Sequence, residues 1–497
     1  MRSRSVIGTI GWLLLLFCWS LLAPIGVGLV YSEPFVDLLL SYGLPMLATL
    51  LLGLLFWHYG KDVVETVREG EAFLAVGFGW LLIAFLGSLP FIFSGTLTNP
   101  IDAYFESMSG FCTCGATVIA PPATGDYLDH YSHSIFFWRA LTQWLGGLGI
   151  VVLFVVILAK VVGSGLAIFR AEVAGHEVTR IKPKLQQTAR LLWGIYCLFT
   201  GISIFLLIMA GMNPFDAICH AFAAIATGGF STHAASAAYW NSPAVEFVLA
   251  GTIFVGSLNF ILLYSFIRGN YKSIDKDQEL RLYVLIILAA TALVTFNVLS
   301  VYKYDLGQAF RYGSFQVISM VGTCGMTTYE FSGVSATAIY WPVAAQFILL
   351  FLMLLGGCTG STAGAIKIGR ILVLLKVIRR EIHKVIHPRA IIPIKLGKQA
   401  LSEPAVAKIG AFFFIYMMTF LVCSMFLMLL DPALDIPEAI SAVASCMGGV
   451  GPGLGSVNVH MANVTYGGKM LLALCMWIGR LEIFSALILF FPTSYKR

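Results

Sequence analysis

The residues best suited to chemistry in this sequence are four short glycine-centred segments whose backbone carbonyl groups can coordinate a cation. Glycine accepts the positive φ that turns a carbonyl toward an axis, a conformation that a Cβ makes costly. None of the four contains Asp or Glu, which favours coordination of a monovalent ion by carbonyls over a carboxylate ring. The segments are Thr113-Cys114-Gly115-Ala116, Ala226-Thr227-Gly228-Gly229, Thr323-Cys324-Gly325-Met326 and Gly449-Val450-Gly451-Pro452.

A second glycine follows each segment at a nearly constant spacing, which indicates a repeated unit. These second glycines lie 31, 28, 31 and 28 residues after Gly115, Gly228, Gly325 and Gly451, at Gly146, Gly256, Gly356 and Gly479. An acidic residue followed by Ala precedes three of the segments, at Asp102, Asp216 and Glu438. In the third unit the matching pair, Gln308-Ala309, lies further upstream, so its pore helix is expected to be shifted or longer.

The composition is that of a membrane protein. Hydrophobic residues make up 59% of the 497 residues and charged residues 11%, with a mean hydropathy of +0.87, whereas soluble domains carry about 25% charged residues. At about 20 apolar residues for each crossing of the bilayer, ten spans are predicted: 6–31, 35–57, 72–94, 134–162, 188–211, 243–267, 279–301, 340–375, 405–430 and 469–491. Four shorter stretches predict re-entrant pore helices: 100–109, 214–225, 308–320 and 436–446.

These elements predict an all-α polytopic fold with four pseudo-repeated helix–pore helix–helix units around one ion pore. Irregular backbone is tolerated inside a bilayer only where protein buries it or water reaches it, so the four loops must converge. The predicted organisation is an N-terminal helix pair over 1–71, followed by units over 72–187, 188–277, 278–402 and 403–497.

The distribution of basic residues predicts the orientation. An even number of spans places both termini on one side, and all but five of the 31 Lys and Arg residues fall at or near that side. That side is therefore expected to be cytoplasmic. The basic run over 367–398 then reads as a solvated cytoplasmic face, and no nucleic-acid partner is expected. The first apolar run is long enough for a retained span, with no clear cleavage site after it.

A run of small residues inside the third unit predicts a break in a membrane helix. Gly356-Gly357-Cys358-Thr359-Gly360-Ser361-Thr362-Ala363-Gly364 interrupts an apolar helix that resumes at Ile366. The run is either a close-packing helix interface or a mobile constriction below the glycine loops. Arg480 is an ionisable residue deep in the last predicted span, where such groups are usually functional. Its alternatives are a buried ion pair, with Glu482 or another acid, and a lipid-facing position.

Together these motifs resemble the TrkH potassium-uptake family of the Trk/Ktr/HKT superfamily, over nearly the whole chain. The stretches that carry the resemblance are Ser109 to Thr117, Ala226 to His233, Gly356 to Gly364, His387-Pro388 with Ile394 to Gly397, Gly449 to Gly455, and Gly479 to Phe484.

The resemblance implies a single potassium filter, a gate below it, and K⁺ as the permeant ion without a further cofactor. The implied filter residues are Thr113, Cys114, Gly115, Ala226, Thr227, Gly228, Thr323, Cys324, Gly325, Gly449, Val450 and Gly451. The implied gate comprises Gly356, Gly357, Thr359, Gly360, Ser361, Thr362, Gly364 and Arg480. It further implies a homodimer in the inner membrane of a prokaryote, opened by a TrkA-type cytoplasmic subunit that binds nucleotides.

Other functions remain open on the sequence. An ion-coupled symporter or a sodium-preferring relative is the first alternative. The resemblance favours potassium, because superfamily members with sodium preference often have Ser at the first filter glycine, where this sequence has Gly115. A thiolate metal site or membrane enzyme is remote, because Cys112, Cys114, Cys324 and Cys446 lack a standard zinc spacing and no H-E-x-x-H motif is present. Surface or capping roles are expected for the histidines, among them His220 and His233. The carboxylates outside the loops, Asp102, Glu106, Asp126 and Asp129, either enrich cations at the mouth or are ordinary loop charges.

Overall fold

The computed structural model describes residues 3–61, 69–161, 185–302, 305–328, 341–397, 399–483 and 486. Over these residues the regular structure is helical, apart from one short antiparallel pair, β1 (Lys395–Leu396) and β2 (Gln399–Ala400), and one isolated parallel bridge between Leu355 and Ile366. Within the described ranges, six helices are long and apolar enough to cross a membrane, and a helix pair bent by 106° makes a seventh span if its two halves are counted as one. The predicted all-α polytopic fold is confirmed, and the protein is a multi-pass membrane protein.

The first eight helices cover the N-terminal pair and the first unit. Two spans, Ser3–Val30 and Phe35–Gly60, form the N-terminal pair, and within them a 3₁₀ turn and a π-helical turn mark local changes of winding. The helices are α1 (Ser3–Cys18), α2 (Leu22–Val30), α3 (Phe35–Leu38), α4 (Leu44–Gly60), α5 (Glu69–Phe93), α6 (Pro100–Phe111), α7 (Tyr127–His130) and α8 (His133–Val161).

The second and third units contain shorter pieces. Their helices are α9 (Leu185–Met209), α10 (Pro214–Ile225), α11 (Pro243–Gly256), α12 (Phe260–Ile267), α13 (Tyr271–Asp275), α14 (Gln278–Tyr302), α15 (Leu306–Val321), α16 (Val343–Met353) and α17 (Ile368–Ile386). The fourth unit consists of α18 (Glu403–Leu430), α19 (Ile436–Gly448) and α20 (Tyr466–Arg480).

The four pore helices are α6, α10, α15 and α19, and each begins with a polar cap. Asn99, Asn213 and Asp305 accept hydrogen bonds from the first turns of α6, α10 and α15, while Asp435 and Glu438 form a capping box on α19. Such caps satisfy backbone N–H groups that a helix start leaves unpaired. The helix α15 has 16 residues, whereas the other three pore helices have 12, 12 and 13. The third pore helix was expected to be shifted or longer, and it is longer.

Three of the predicted spans are interrupted. The span predicted over 243–267 is wrong as a single helix, because α11 ends at Gly256 and α12 starts at Phe260 after the 106° bend. The Asn259 side chain caps the new helix by accepting from the N–H of Ile261. The predicted break in the third unit is confirmed between Met353 and Ile368. The last helix ends at Arg480, and most of its predicted continuation to 491 lies outside the described residues.

Small residues allow the N-terminal pair to pack closely. A Cβ at Gly8 would lie 2.8 Å from the Cα of Gly60, and one at Gly11 would overlap the backbone of Trp57. Close backbone approach through glycine is a usual way for membrane helices to associate, because lipid supplies no hydrophobic drive between them. The pair therefore packs as one unit beside the four-unit core.

Candidate ion pathway

All four pore helices end in the same hydrogen-bonded turn. In each, a backbone N–H donates to the carbonyl five residues earlier, at 2.7–2.9 Å: Cys114 to Ser109, Gly228 to Ala223, Cys324 to Ser319 and Val450 to Ser445. The residue before each donor has a positive φ: 49° at Thr113, 52° at Thr227, 54° at Thr323 and 71° at Gly449. This is the Schellman arrangement that satisfies carbonyls at a helix end.

Three of these left-handed positions are occupied by threonine, which is unusual. A β-branched residue with positive φ is a genuine conformational outlier. Such strain persists only where the surrounding structure imposes it, and it concentrates at functional sites. Thr113, Thr227 and Thr323 therefore mark three loops held in one required conformation.

The glycine two residues further on closes a ring between the loops. These glycines also have positive φ: 84° at Gly115, 82° at Gly229, 76° at Gly325 and 110° at Gly451. A Cβ on each would overlap a backbone carbonyl oxygen of another loop: that of Gly228 for Gly115, Cys324 for Gly229, Val450 for Gly325, and Cys114 for Gly451. The contacts run from loop one to two, two to three, three to four, and four back to one.

The ring corrects the predicted register of the second loop. By backbone conformation the partner of Gly115 is Gly229 and not Gly228, so loop two consists of Thr227, Gly228 and Gly229. Ala226 is the C-cap of α10 and lies outside the ring. Aligning the first three segments on Thr-x-Gly would have shown this from the sequence.

One cavity lies on the ring, and all four ring glycines line it. The cavity is open to solvent and is also lined by Arg139, His233 and His460. Loops from all four units thus share one water-accessible vestibule, as the convergence argument required.

The second glycines explain the spacing found in the sequence. A Cβ at Gly146 would overlap the carbonyl oxygen of Phe111, one at Gly256 that of Ile225, and one at Gly479 that of Met447. Each of these carbonyls belongs to the residue four positions before a ring glycine, at the end of a pore helix. In the third unit the contact differs, because Gly356 lies against Gly364 within its own loop.

That loop, residues 354–367, lies against the glycine loops. The hydroxyl of Thr323 accepts from the N–H of Gly364 at 2.7 Å. The hydroxyl of Thr227 lies 3.3 Å from that of Thr362, and a Cβ at Gly364 would overlap the carbonyl of Gly448. The small-residue run therefore packs under three of the four units.

The broken helix of unit two also holds this loop. Thr362 donates from its N–H and its hydroxyl to the carbonyl of Gly256, at 3.2 and 2.9 Å. Cys358 donates from its N–H to the carbonyl of Ser257 at 2.8 Å. The bend between α11 and α12 thus exposes carbonyls that the loop satisfies.

Glu279 and Lys367 stabilise the second half of the loop. One carboxylate oxygen of Glu279 accepts from the N–H and the hydroxyl of Thr359, at 2.5 and 2.9 Å, and from the N–H of Gly369 at 2.8 Å. The Lys367 ammonium group donates to the carbonyl of Ala363. Neither residue was singled out from the sequence, because Glu279 lies 80 residues from Thr359 in the chain.

Arg480 joins this loop to the first and last units. Its Nη1 donates to the carbonyl of Thr362 at 2.7 Å and its Nη2 to the carbonyl of Gly146 at 3.1 Å. The side chain is 8% exposed. Glu482, the partner in the alternative interpretation of Arg480, pairs with Arg370 at 2.5 Å. Arg480 therefore places a cationic group beside the loop, held by backbone carbonyls.

The comparison with known proteins identifies this architecture. The family model described as TrkH, cation transport protein, matches residues 45–495. The chain belongs to the TrkH family.

Individual TrkH relatives match over the full length. The Trk system potassium uptake protein TrkH of Vibrio parahaemolyticus is 36% identical over 100% of both chains, and that of Escherichia coli K12 is 35% identical over 100% of both. The crystal structure of the potassium transporter TrkH from Vibrio parahaemolyticus superposes with a TM-score of 0.86 at 35% identity, also over all of both chains. These relatives are named as transport proteins and not as enzymes. This confirms the prediction that the protein is a transporter and not a membrane enzyme.

The outer carboxylates of this TrkH-family chain have cationic partners. Asp102 pairs with Lys469 at 2.6 Å, and Glu106 pairs with Arg139 at 2.5 Å. The idea that these two carboxylates gather cations at the mouth is therefore wrong, because a paired carboxylate contributes little net field. Each pair joins pore helix α6 to a neighbouring helix instead.

His233 is a further junction between units one and two. Its Nδ1 bonds Asp126, its Nε2 bonds Asp216 at 3.0 Å, and its ring stacks on Tyr239 at a centroid separation of 3.5 Å. Burial lowers the pKa of His233, but the hydrogen bonds to the two carboxylates outweigh it and raise the pKa to about 9. Asp126 is thus also paired, and the expected surface role of this histidine is replaced by a structural one.

His220 and the loop cysteines are buried. His220 bonds the carbonyl of Asp216 and the hydroxyl of Ser231, at 2.9 and 3.0 Å, so a surface role for it is wrong. Within the described ranges no group of three His, Cys, Asp or Glu side chains is placed to hold a metal ion. The loop and pore-helix thiols are buried and free: Cys112, Cys114, Cys324 and Cys446.

Proposed function

We propose that this chain is the membrane subunit of a potassium uptake system and conducts K⁺ through one selective pore. The proposed filter is the glycine ring with the residues before it: Thr113, Cys114, Gly115, Thr227, Gly228, Gly229, Thr323, Cys324, Gly325, Gly449, Val450 and Gly451. The potassium uptake proteins to which the chain is 35–36% identical support the choice of ion.

The observation that carries the proposal is the closed contact ring of four positive-φ glycines at the base of one vestibule. Backbone carbonyls arranged in rings replace the hydration shell of a permeating cation. Each pore helix ends at the ring, so the negative ends of four helix dipoles favour a cation there. Neither a carboxylate ring nor a thiolate metal site is needed to explain this arrangement.

The proposed gate is the loop beneath the filter, together with Arg480. Gly356, Gly357, Thr359, Gly360, Ser361, Thr362 and Gly364 belong to the loop. A cation held next to the loop opposes the passage of K⁺, and its two bonds to carbonyls stabilise the closed arrangement. Movement of the loop away from Thr227 and Thr323 opens the path.

The assembly is proposed as a homodimer in a prokaryotic inner membrane, with both termini in the cytoplasm. The excess of Lys and Arg on the side of the termini supports this orientation. Control by a cytoplasmic, nucleotide-binding TrkA-type subunit is the expected regulation, since the sequence itself contains no phosphate-binding P-loop.

Recordings from the purified full-length protein in planar bilayers test the function. With K⁺ on one side and Na⁺ on the other, the reversal potential is expected to show a clear preference for K⁺. Rb⁺ flux into vesicles is expected to follow the electrochemical gradient of the permeant ion alone. Flux that requires a pH or Na⁺ gradient would instead identify a coupled symporter, and equal permeability to K⁺ and Na⁺ would reject the filter.

A further inference from the structure

The second loop of the ring is the one with two consecutive glycines. Loops one and three read Thr-Cys-Gly and loop four reads Gly-Val-Gly, whereas loop two reads Thr227-Gly228-Gly229. The first glycine of the pair is not demanded by its own backbone, because Gly228 does not adopt a positive φ. A Gly-Gly pair has the greatest freedom of any dipeptide, so this loop is intrinsically the least rigid.

Gln143, which lies outside this loop, restrains it by two hydrogen bonds. The side chain is fully buried, comes from α8 of unit one, and spans both sides of Gly229. Its Nε2 donates to the carbonyl of Gly228 at 2.7 Å, and its Oε1 accepts from the N–H of Phe230 at 3.1 Å. One planar amide therefore fixes the two peptide groups that flank the ring glycine.

The absence of a side chain at Gly228 is what makes room for this amide. A Cβ there would lie 2.5 Å from Cδ, 2.7 Å from Oε1 and 2.8 Å from Nε2 of Gln143. The glycine and the glutamine thus require each other: the glycine admits the amide, and the amide restrains the glycine.

In the other three units, the positions that match Gln143 and Gly228 are both occupied by different kinds of residue. Gln143 lies three residues before the second glycine of unit one, and the matching positions in the other units hold Ile253, Met353 and Met476. The loops that follow these units in the ring carry a side chain at the position of Gly228, namely Cys324, Val450 and Cys114. Ile253 and Cys324 belong to one buried apolar cluster. The polar Gln143 thus occurs where the neighbouring loop has a glycine. Apolar residues occupy the matching position in the three units whose neighbouring loops carry a side chain.

We propose that Gln143 is a specificity-determining residue, which positions the Gly228 carbonyl in the ring and thereby sets the preference for K⁺ over Na⁺. The inference rests on the proposed filter. It extends that filter to a residue outside the loops, because the carbonyl of Gly228 lies directly against Gly115 of loop one. A shift of this peptide group alters two of the four inter-loop contacts, since Gly229 also lies against Cys324.

The test is the K⁺/Na⁺ permeability ratio of full-length variants in planar bilayers under bi-ionic conditions. Gln143→Met keeps the volume of the side chain but removes both hydrogen bonds. We expect the ratio to fall about tenfold, the effect of losing roughly one net hydrogen bond. The matched control is Gln346→Met on α16, which removes a 2.6 Å bond to the carbonyl of Trp341 away from the loops; its ratio is expected to equal that of the wild type.

A repair variant separates positioning from general packing. Gln143→Ala combined with Gly228→Cys gives loop two the Thr-Cys-Gly sequence of loops one and three and removes the clash. This double variant is expected to recover the wild-type ratio, whereas Gln143→Ala alone is not. A double variant that accumulates in the membrane but stays unselective would overturn the proposed complementarity.

Two further outcomes are decisive. A wild-type ratio in Gln143→Met would refute the role of Gln143 even if the filter is correct, whereas a wild-type protein without K⁺ preference would refute the proposed function itself. Should Gln143→Met fail to accumulate, Gly228→Ala displaces the same amide with one methyl group. A wild-type ratio in Gly228→Ala would equally reject the inference.

Discussion

Arg480 and Thr362 are 118 residues apart in sequence, and Nη1 of the arginine donates to the carbonyl oxygen of the threonine at 2.7 Å. Thr362 bonds Gly256 through both its N–H and its hydroxyl, while Arg480 also bonds Gly146. One arginine and one threonine therefore connect the unit-three loop to units one, two and four.

Replacing Arg480 with Gln is expected to raise basal ion flux. The change removes the cation beside the path and at least one of the two bonds to carbonyls, and a hydrogen bond from a charged group contributes about 1.5–3 kcal/mol. We expect at least about a tenfold rise in Rb⁺ uptake by vesicles without any regulatory subunit. Arg480→Lys keeps the charge but not the planar guanidinium group. Its Rb⁺ uptake is expected to lie between those of the wild type and Arg480→Gln. Unchanged flux and gating in Arg480→Gln would contradict the proposed gate.

Glu279→Ala is expected to loosen the same loop by removing its bonds to Thr359 and Gly369. The substitution leaves the N–H groups of Thr359 and Gly369 without their acceptor, each at a cost of about 1–3 kcal/mol when buried. The expected result is increased basal flux together with a lower Tm in detergent. Glu403→Gln is the control, because Glu403 forms an exposed ion pair with Arg380 on the surface. If basal flux stays at the wild-type level while Tm falls, Glu279 serves stability alone.

Gly115→Ser is expected to increase Na⁺ permeability relative to K⁺. A serine at a φ of 84° is strained by about 1–2 kcal/mol, and its Cβ would overlap the carbonyl of Gly228. Bi-ionic reversal potentials measure the change, with Gly251→Ser on α11 as the control, since a Cβ there meets nothing within 4 Å. A wild-type reversal potential for Gly115→Ser would show that the ring does not set selectivity.

The junction at His233 is expected to make thermal stability depend on pH. The pKa in the folded protein, about 9, lies above the ordinary value of 6.5. Protonated His233 therefore stabilises the fold fully below about pH 6.5, and this contribution is lost as the pH rises through about 9. We expect Tm in detergent to fall more between pH 7 and 9.5 for the wild type than for His233→Asn. If Tm changes with pH in the same way for both proteins, His233 is not the source of the pH dependence.

The membrane-spanning architecture was predictable because a bilayer imposes strict lengths on apolar helices and excludes unpaired backbone. Pore helices were equally visible, since they are too short to span and begin with Asn, Asp or Pro. The break after Gly256 was missed, because the residues Ser257, Leu258 and Asn259 carry a weak signal: one helix-capping asparagine. Helix interruptions of this kind depend on tertiary partners, here the loop of unit three.

The candidate site was predictable only where its residues are close in sequence. Counting glycines placed Gly228 in the wrong register, whereas the repeated Thr-x-Gly pattern identifies Gly229. The roles of Gln143 and Glu279 depend on contacts across 85 and 80 residues. A polar residue in an apolar helix indicates that a partner exists, but the sequence alone does not name it.

The bend between α11 and α12 has a consequence for the thermodynamics of opening. The carbonyls of Gly256 and Ser257 end a helix inside the membrane and are satisfied by N–H groups of the unit-three loop. When that loop moves, these carbonyls need new partners, and water is the one available in an ion path. Opening therefore takes up water, so we expect large osmolytes that cannot enter the pore to favour the closed state. In the proposed gate, the osmotic pressure of the solution is therefore expected to act through two backbone carbonyls.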